Sequence, residues 1–108
     1  MGGTKNDEGK LRMDLISPKA LMGMVDVLTK GAEQYSDRNW EEGIKYGRVY
    51  AACIRHLFAW WGGGELDPDD GQHHLDHAAC CIHFLSAYVK GDYKEYDDRP
   101  KKRERTGV

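Results

Sequence analysis

The chain has 108 residues and a formal net charge of −2, with 16 basic and 18 acidic side chains. This length fits one domain, and the balanced charge excludes a general binder of polymeric nucleic acid, whose surface would be basic. Because no apolar run reaches membrane length and no signal-peptide pattern opens the chain, we expect a cytoplasmic protein without a membrane partner. The three cysteines make a poor disulfide framework, which fits a reducing compartment.

The first predicted element is an N-terminal arm over residues 1–16, which is glycine-rich and charged and then turns apolar. We expect this arm to be mobile at its start and ordered at its end. A helix is predicted to begin at Ser17-Pro18, because serine is a favoured N-cap and proline loses no hydrogen bond at the first helical position. Apolar residues then recur at helical spacing: Leu21, Val25, Leu28 and Ala32.

Two further helices are predicted. The second runs from Tyr46 to Trp61, after a turn-like stretch in which a short fourth helix fits residues 40–45. It is apolar over most of its girth, which favours a place in the middle of a bundle, and the three glycines 62–64 should end it. The third runs from about residue 72 to residue 89, with Asp69 or Asp70 as its cap. Its predicted core stripe is Leu75, Ala79, Ile82, Leu85 or Ser86, and Val89.

The predicted fold class is therefore all-α, because no segment alternates with the period of a strand. We expect a small bundle of three main helices over residues 17–90. A chain this short buries a modest core, so we expect a homo-oligomer to complete it. Residues 91–108 are dense in charge, which predicts a disordered tail.

The stretch GQHHLDHAACCIHFL (71–85) holds four of the five histidines of the chain. On a helix, His74, His77 and Cys81 share one stripe, while the neighbouring stripe carries His73, Asp76, Cys80 and His83. Imidazole and thiolate bind zinc and carboxylates suit harder ions, so either stripe is a candidate metal site, with His56 or Glu33 as a ligand from a second segment. The alternative is that the cysteines are small core residues and the histidines form hydrogen bonds at a packed interface.

Two charged groups also have two interpretations each. Arg48 and Arg55 lie in one row with Lys45. Their planar guanidinium groups match phosphate oxygens, which is the first interpretation. The second is a structural ion pair with a carboxylate of another helix. The acidic loop suits Mg²⁺, Mn²⁺ or Ca²⁺, or it is a solvated turn. Its carboxylates are Glu65, Asp67, Asp69 and Asp70.

Five motifs occur in a fixed order: DEGKLRMDL with Ser17-Pro18, LTKGAEQY, RNW, RHLFAW and LDPDDGQHHLDHAA. Together they resemble the phage-associated dATP/dGTP diphosphohydrolase N-terminal domain family, which is related to the MazG-like nucleotide pyrophosphohydrolases. The resemblance covers roughly residues 5–90. It implies an all-α, usually oligomeric domain in a phage-infected bacterial cell.

The same resemblance implies an activity and a site. The expected reaction is hydrolysis of a purine deoxynucleoside triphosphate, dATP or dGTP, to the monophosphate and pyrophosphate, with Mg²⁺ or Mn²⁺ required. The expected metal ligands are Glu33, Asp70, His74 and His77, and the expected catalytic residues are Glu33, His56 and His77. Lys10, Arg12, Arg48 and Arg55 are expected to bind the phosphates, and Asn39 and Trp40 the base or sugar.

One departure keeps a second function in view. MazG-type enzymes hold their metals with E-x-x-E on one helix and E-x-x-D on another, but this chain has no E-x-x-E, and its single E-x-x-D is Glu95 to Asp98. His74 and His77 stand where the second carboxylate pair is expected. The alternative function is therefore a non-catalytic phage protein that binds or sequesters a nucleotide, and a third is a purely structural helical protein.

Overall fold

The structure is a computed structural model that describes residues 2–100. It contains three α-helices, which we call α1 (Pro18–Gln34), α2 (Tyr46–Trp61) and α3 (His74–Lys90). Three short 3-10 helices accompany them at Met13–Leu15, Asn39–Glu42 and Lys94–Tyr96. Within residues 2–100 there is no strand, and a single antiparallel bridge joins Leu66 to His73. The predicted all-α class is therefore confirmed.

The first two helices begin and end where local signals predict. The Ser17 side chain accepts a hydrogen bond from the Ala20 N–H at 3.2 Å, and Pro18 is the first helical residue. Helix α2 has the predicted bounds and ends when the Gly62 N–H donates to the Phe58 carbonyl at 2.9 Å. Gly63 then takes a φ of +107°, a conformation that side chains with a Cβ rarely adopt, so the glycines stop the helix.

Helix α3 has a different cap from the one predicted. It begins at His74, and His73 is the N-cap, since its Nδ1 accepts from the Leu75 N–H at 3.0 Å. The His73 ring is oriented by Glu65, whose Oε2 lies 2.8 Å from His73 Nε2. Asp70 instead accepts from the Gln72 N–H within the preceding loop at 2.9 Å. The predicted caps Asp69 and Asp70 are thus wrong, because the carboxylates shape the loop and not the helix end.

The central helix is α3. Both α1 and α2 pack chiefly against it, whereas the sequence predicts α2 in the middle. A hydrophobic core lies at the C-terminal end of α3. It consists of Tyr46, Val49 and Tyr88, and partly buried aromatic side chains such as Phe84 surround it. The exposed arm before α1 contains only a turn and the 3-10 helix Met13–Leu15 among its described residues.

The predicted core stripe of α3 is largely wrong for a single chain. Ile82 is 57% exposed, Val89 is 62% exposed, and Leu75 also reaches the surface. The residues that α3 buries are His74, Ala78, Cys80 and Tyr88. Helix α3 is apolar around most of its girth, so its periodicity does not identify which face meets α1 and α2. Helix α1, in contrast, has no fully buried residue.

The segment after α3 also differs from the prediction. Tyr93 and Tyr96 pack against the core, and residues 94–96 form a 3-10 helix, so the expectation of disorder from residue 91 is wrong for this segment. The remainder of the predicted tail, residues 101–108, lies outside the described residues. Three tyrosine hydroxyls donate to successive carbonyls of the helix Asn39–Glu42: Tyr88 to Trp40 at 2.6 Å, Tyr93 to Glu41 at 2.7 Å and Tyr96 to Glu42 at 2.9 Å.

Over residues 2–100, no helix combines the length and apolarity needed to cross a membrane.

Candidate functional site

Three side chains from three separate segments converge between α2 and α3. His56 comes from α2, Asp67 from the loop after it, and His77 from α3, and their ligand atoms all lie within 4.8 Å of one another. The Asp67 Oδ2 atom is 3.9 Å from His56 Nδ1 and 4.0 Å from His77 Nε2. All three side chains are largely buried, with exposed fractions of 14–18%. We call this group the imidazole–carboxylate cluster; it is the grouping of potential metal ligands found within residues 2–100.

Asp70 adjoins the cluster. Its Oδ2 atom lies 2.8 Å from His77 Nε2. That nitrogen is buried but has no partner with hydrogen-bond geometry, so the two atoms approach each other without being aligned as donor and acceptor. A buried polar atom without a partner is costly, which makes this position a candidate for binding a ligand. Burial alone would raise the pKa of Asp70, but the Gln72 N–H and the nearby His77 outweigh it and the pKa is lowered, so Asp70 is ionised at neutral pH.

The loop that carries Asp67 is held at both ends. The Asp67 N–H donates to the Gln72 carbonyl at 2.7 Å, and the Gly71 N–H donates back to the Asp67 carbonyl at the same distance. Gly71 has a φ of +75°, which favours glycine at this turn. The His74 N–H also donates to the Glu65 carbonyl at 3.0 Å. These bonds fix the Asp67 carboxylate opposite the two histidines.

The histidine rings pack against one another. His56 and His77 are stacked, with ring centroids 4.4 Å apart and an interplanar angle of 7°. His56 Nδ1 also lies 3.0 Å from Nδ1 of the buried His74, so one ring donates and the other accepts. The pKa of His56 is lowered, chiefly by burial and then by His77, while Asp67 opposes the shift. His56 is therefore neutral at pH 7, the form in which an imidazole binds a metal.

A groove of about 620 Å³ is lined mainly by residues of α2 and α3. Arg48 and Arg55 line one wall, Cys81 and Phe84 line the other, and Asp98 closes one end. We call it the arginine groove. Both arginines are exposed, and neither forms a salt bridge with any residue in the range 2–100. Arg55 and His56 are consecutive, so groove and cluster lie at the same level of α2.

The predicted metal ligands are brought together only in part. Asp70 and His77 are neighbours, and His74 reaches the cluster through His56. Glu33 is exposed on α1 and is not a member of the convergent group. Asp67 is a member that sequence reasoning missed as a specific ligand, although it stands in the acidic loop that suggested a cation site.

The other predicted contacts lie farther from the cluster. Lys10 and Arg12 belong to the exposed arm, where Arg12 binds Asp14 through two nitrogen–oxygen contacts of 2.7 Å. Asn39 and Trp40 lie in the 3-10 helix between α1 and α2. Trp40 stacks on Phe84 with ring centroids 5.3 Å apart, so its ring packs on the core beside the groove.

The cysteines adjacent to this region carry protonated thiols. Burial raises the pKa of Cys80 to about 12 and that of Cys81 to about 11. A thiolate is the form of cysteine that binds metal. Neither cysteine belongs to the convergent group, and Cys80 is buried, in line with the sequence interpretation of the cysteines as core residues.

Comparison with known proteins agrees with the motif order. The family model for the N-terminal part of dATP/dGTP diphosphohydrolase matches residues 1–99. A relative named dATP/dGTP diphosphohydrolase, from Salmonella phage PMBT28, is 34% identical over 85 residues, which are 79% of this chain and 29% of the relative. The chain thus spans less than a third of the length of that relative. No solved structure is significantly similar to the chain. The chain therefore belongs to the dATP/dGTP diphosphohydrolase N-terminal domain family.

Proposed function

We propose that this protein hydrolyses a purine deoxynucleoside triphosphate, dATP or dGTP, to the monophosphate and pyrophosphate. The observation that carries the proposal is the imidazole–carboxylate cluster. A groove lined by two arginines without salt-bridge partners among residues 2–100 supports it, since one of them, Arg55, directly precedes His56 of the cluster. The name of the phage relative supports the substrate class. A divalent metal ion would be bound by His56, Asp67 and His77, in the infected bacterial cell.

The proposed reaction is attack of water on the α-phosphorus with loss of pyrophosphate. A bound divalent ion would neutralise developing charge and ease deprotonation of the attacking water. Arg48 and Arg55 supply planar donors that bind phosphate oxygens and stabilise negative charge in the groove. Asp70 is ionised, partly exposed and next to His77, so it can take a proton from water. Glu33, Lys10 and Arg12 stay predictions as further contacts.

A second candidate function is binding without hydrolysis. It is favoured by the lack of the carboxylate pairs with which MazG-type enzymes hold their metals. The sequence has no E-x-x-E, and its one E-x-x-D pair, Glu95 and Asp98, lies in the segment after α3. Asp98 there accepts from the Gly47 N–H at 2.7 Å and is held at the start of α2, away from the cluster. A binder would use the arginine groove for phosphate and would need no water-activating group.

The test is product analysis with each of the four deoxynucleoside triphosphates. We expect release of the monophosphate and pyrophosphate from dATP or dGTP with Mg²⁺ or Mn²⁺, and none with EDTA. Asp67→Asn should abolish release, whereas Asp69→Asn, a change of the same kind in the same loop, should preserve it. Nucleotide binding without product release would establish the second function.

We also propose that the protein is a homo-oligomer. Large apolar side chains are exposed on both α2 and α3, among them Trp61 and Phe58 on α2 and Ile82 and Val89 on α3. Many large exposed apolar side chains on a small helical protein are typical of an interface. Light scattering coupled to size-exclusion chromatography should give a mass above 12.3 kDa. A monomer at all concentrations would contradict this proposal.

A further inference from the structure

The donor atoms of the imidazole–carboxylate cluster differ from those that magnesium prefers. We propose that this cluster is a binding site for a first-row transition-metal ion of the Mn²⁺, Co²⁺ or Zn²⁺ kind, and that it discriminates against Mg²⁺. The inference deepens the proposed function, because it names the metal class of the same site. It rests on the identity, spacing and burial of the three converging side chains.

The spacing fits ligands around one ion. Ligand atoms about 2.1 Å from a metal lie about 3.4 Å apart in a tetrahedron, and about 3.0 Å (cis) or about 4.2 Å (trans) apart in an octahedron. The distances from Asp67 Oδ2 are 3.9 Å to His56 Nδ1 and 4.0 Å to His77 Nε2. Both are shorter than the separation of about 4.2 Å between trans ligands of an octahedral ion. The His56 and His77 rings are stacked with an interplanar angle of 7°, so one ring must rotate out of the stack for both nitrogens to bind the same ion.

The chemistry of the donors selects the ion. Mg²⁺ requires oxygen ligands in a near-ideal octahedron and keeps much of its water, whereas imidazole nitrogen suits first-row transition ions. His56 and His77 supply two nitrogens, and Asp67 supplies one carboxylate. Asp70, whose Oδ2 lies 2.8 Å from His77 Nε2, adjoins these three ligands on the more exposed side. Two imidazole nitrogens are poor replacements for the oxygen ligands of a hydrated magnesium ion.

The state of the two rings supports the same assignment. His77 Nε2 is buried, and the nearby Asp70 Oδ2, 2.8 Å away, does not meet it with hydrogen-bond geometry. His56 Nδ1 has a single lone pair, and an ion bound there replaces the contact of that nitrogen with His74 Nδ1. No cysteine belongs to the convergent group within residues 2–100, so its ligand atoms are nitrogen and oxygen.

The experiment measures binding of the metal alone to the full chain, without nucleotide. After treatment with EDTA and dialysis, the protein is titrated separately with Mn²⁺, Co²⁺ and Mg²⁺ in a calorimeter, and Co²⁺ binding is followed by its visible absorption. We expect one ion per chain, with Mn²⁺ and Co²⁺ binding at least about 10-fold more tightly than Mg²⁺. Mg²⁺ binding as tight as Mn²⁺, or no binding of Mn²⁺ and Co²⁺, would overturn the inference.

Matched variants locate the ion. His77→Gln and Asp67→Asn should each weaken Co²⁺ binding by more than about 10-fold. His73→Asn and Asp69→Asn are the controls: both positions lie within four residues of a ligand and outside the cluster, and asparagine at position 73 can still cap α3. Full Co²⁺ binding by both ligand variants would refute this location. If a variant does not fold, the comparison of ions on the unmodified chain still decides the metal class.

The outcomes separate this inference from the proposed function. Selective binding of Mn²⁺ and Co²⁺ without hydrolysis of any nucleotide would support the metal site and contradict the enzyme. Hydrolysis supported best by Mg²⁺, with Mg²⁺ bound as tightly as Mn²⁺, would support the enzyme and contradict the metal class. Selective binding together with hydrolysis would support both.

Discussion

Removal of the Tyr88 hydroxyl tests how the 3-10 helix Asn39–Glu42 is held. Tyr88 is 1% exposed, and its hydroxyl donates to the Trp40 carbonyl at 2.6 Å. Tyr88→Phe keeps the ring that stacks on Tyr46 at a centroid distance of 5.9 Å, so the change removes the bond to the Trp40 carbonyl and the interaction of the hydroxyl with the Ile44 backbone, and little packing. The variant should therefore fold and lose stability.

The size of the loss follows from the second bond of the same carbonyl. The Trp40 carbonyl also accepts from the Gly43 N–H at 3.1 Å, so it keeps one partner in the variant. A buried acceptor left without any partner costs up to about 3 kcal/mol, but one that keeps a partner loses only the net value of a hydrogen bond, about 1 kcal/mol. For a domain of this size, about 1 kcal/mol lowers the melting temperature by about 4–8 °C.

The assay is thermal and urea unfolding followed by circular dichroism. Tyr96→Phe is the control, because its bond to the Glu42 carbonyl is at the surface, where water replaces the lost donor. We expect Tyr88→Phe to lower the unfolding free energy by about 1 kcal/mol and Tyr96→Phe by less than about 0.5 kcal/mol. Equal losses in the two variants, or no loss in Tyr88→Phe, would refute the argument that burial sets the strength of these bonds.

Three further predictions concern groups near the groove. Cys80 and Cys81, whose pKa values are raised to about 12 and about 11, should resist iodoacetamide at pH 8 until the protein is unfolded, and rapid native labelling would contradict this. Because burial lowers the pKa of His56 below 6.5, urea stability should fall as pH drops from 7.5 to 5.5, and less steeply in His56→Gln. Arg48→Ala and Arg55→Ala should each weaken dATP binding by about 10-fold in calorimetry, with unchanged helicity. Loss of the fold in either variant would instead mean that the arginine has a structural role.

Local signals account for what the sequence predicts well. The cap at Ser17 and the stop at residues 62–64 act within one helical turn, so they hold wherever the helix is placed. The all-α class follows in the same way from periodicity along each segment. Arg48 and Arg55 also line the same groove, as their spacing on one face of α2 predicts, because the predicted bounds of α2 are right.

The features that the sequence does not predict depend on distant partners. His73 caps α3 with its ring aligned by Glu65, and the buried face of α3 is chosen by the positions of α1 and α2. Tyr93 is ordered by a bond to a carbonyl 52 residues earlier, which charge density after residue 90 cannot indicate. Asp67 meets the two histidines because of the loop hydrogen bonds. Composition identified the acidic loop, but only the fold distinguishes Asp67 from Asp69.

The central position of α3 has a consequence for the order in which the protein can fold. Both earlier helices pack chiefly on α3, which is the last of the three in the chain. The hydroxyl bonds to the Asn39–Glu42 turn likewise come from residues 48 to 54 positions later. During synthesis from the N-terminus, the first 61 residues can form helices but lack the surface that buries them. Collapse therefore waits for the final third of the chain and then joins all segments in one cooperative step.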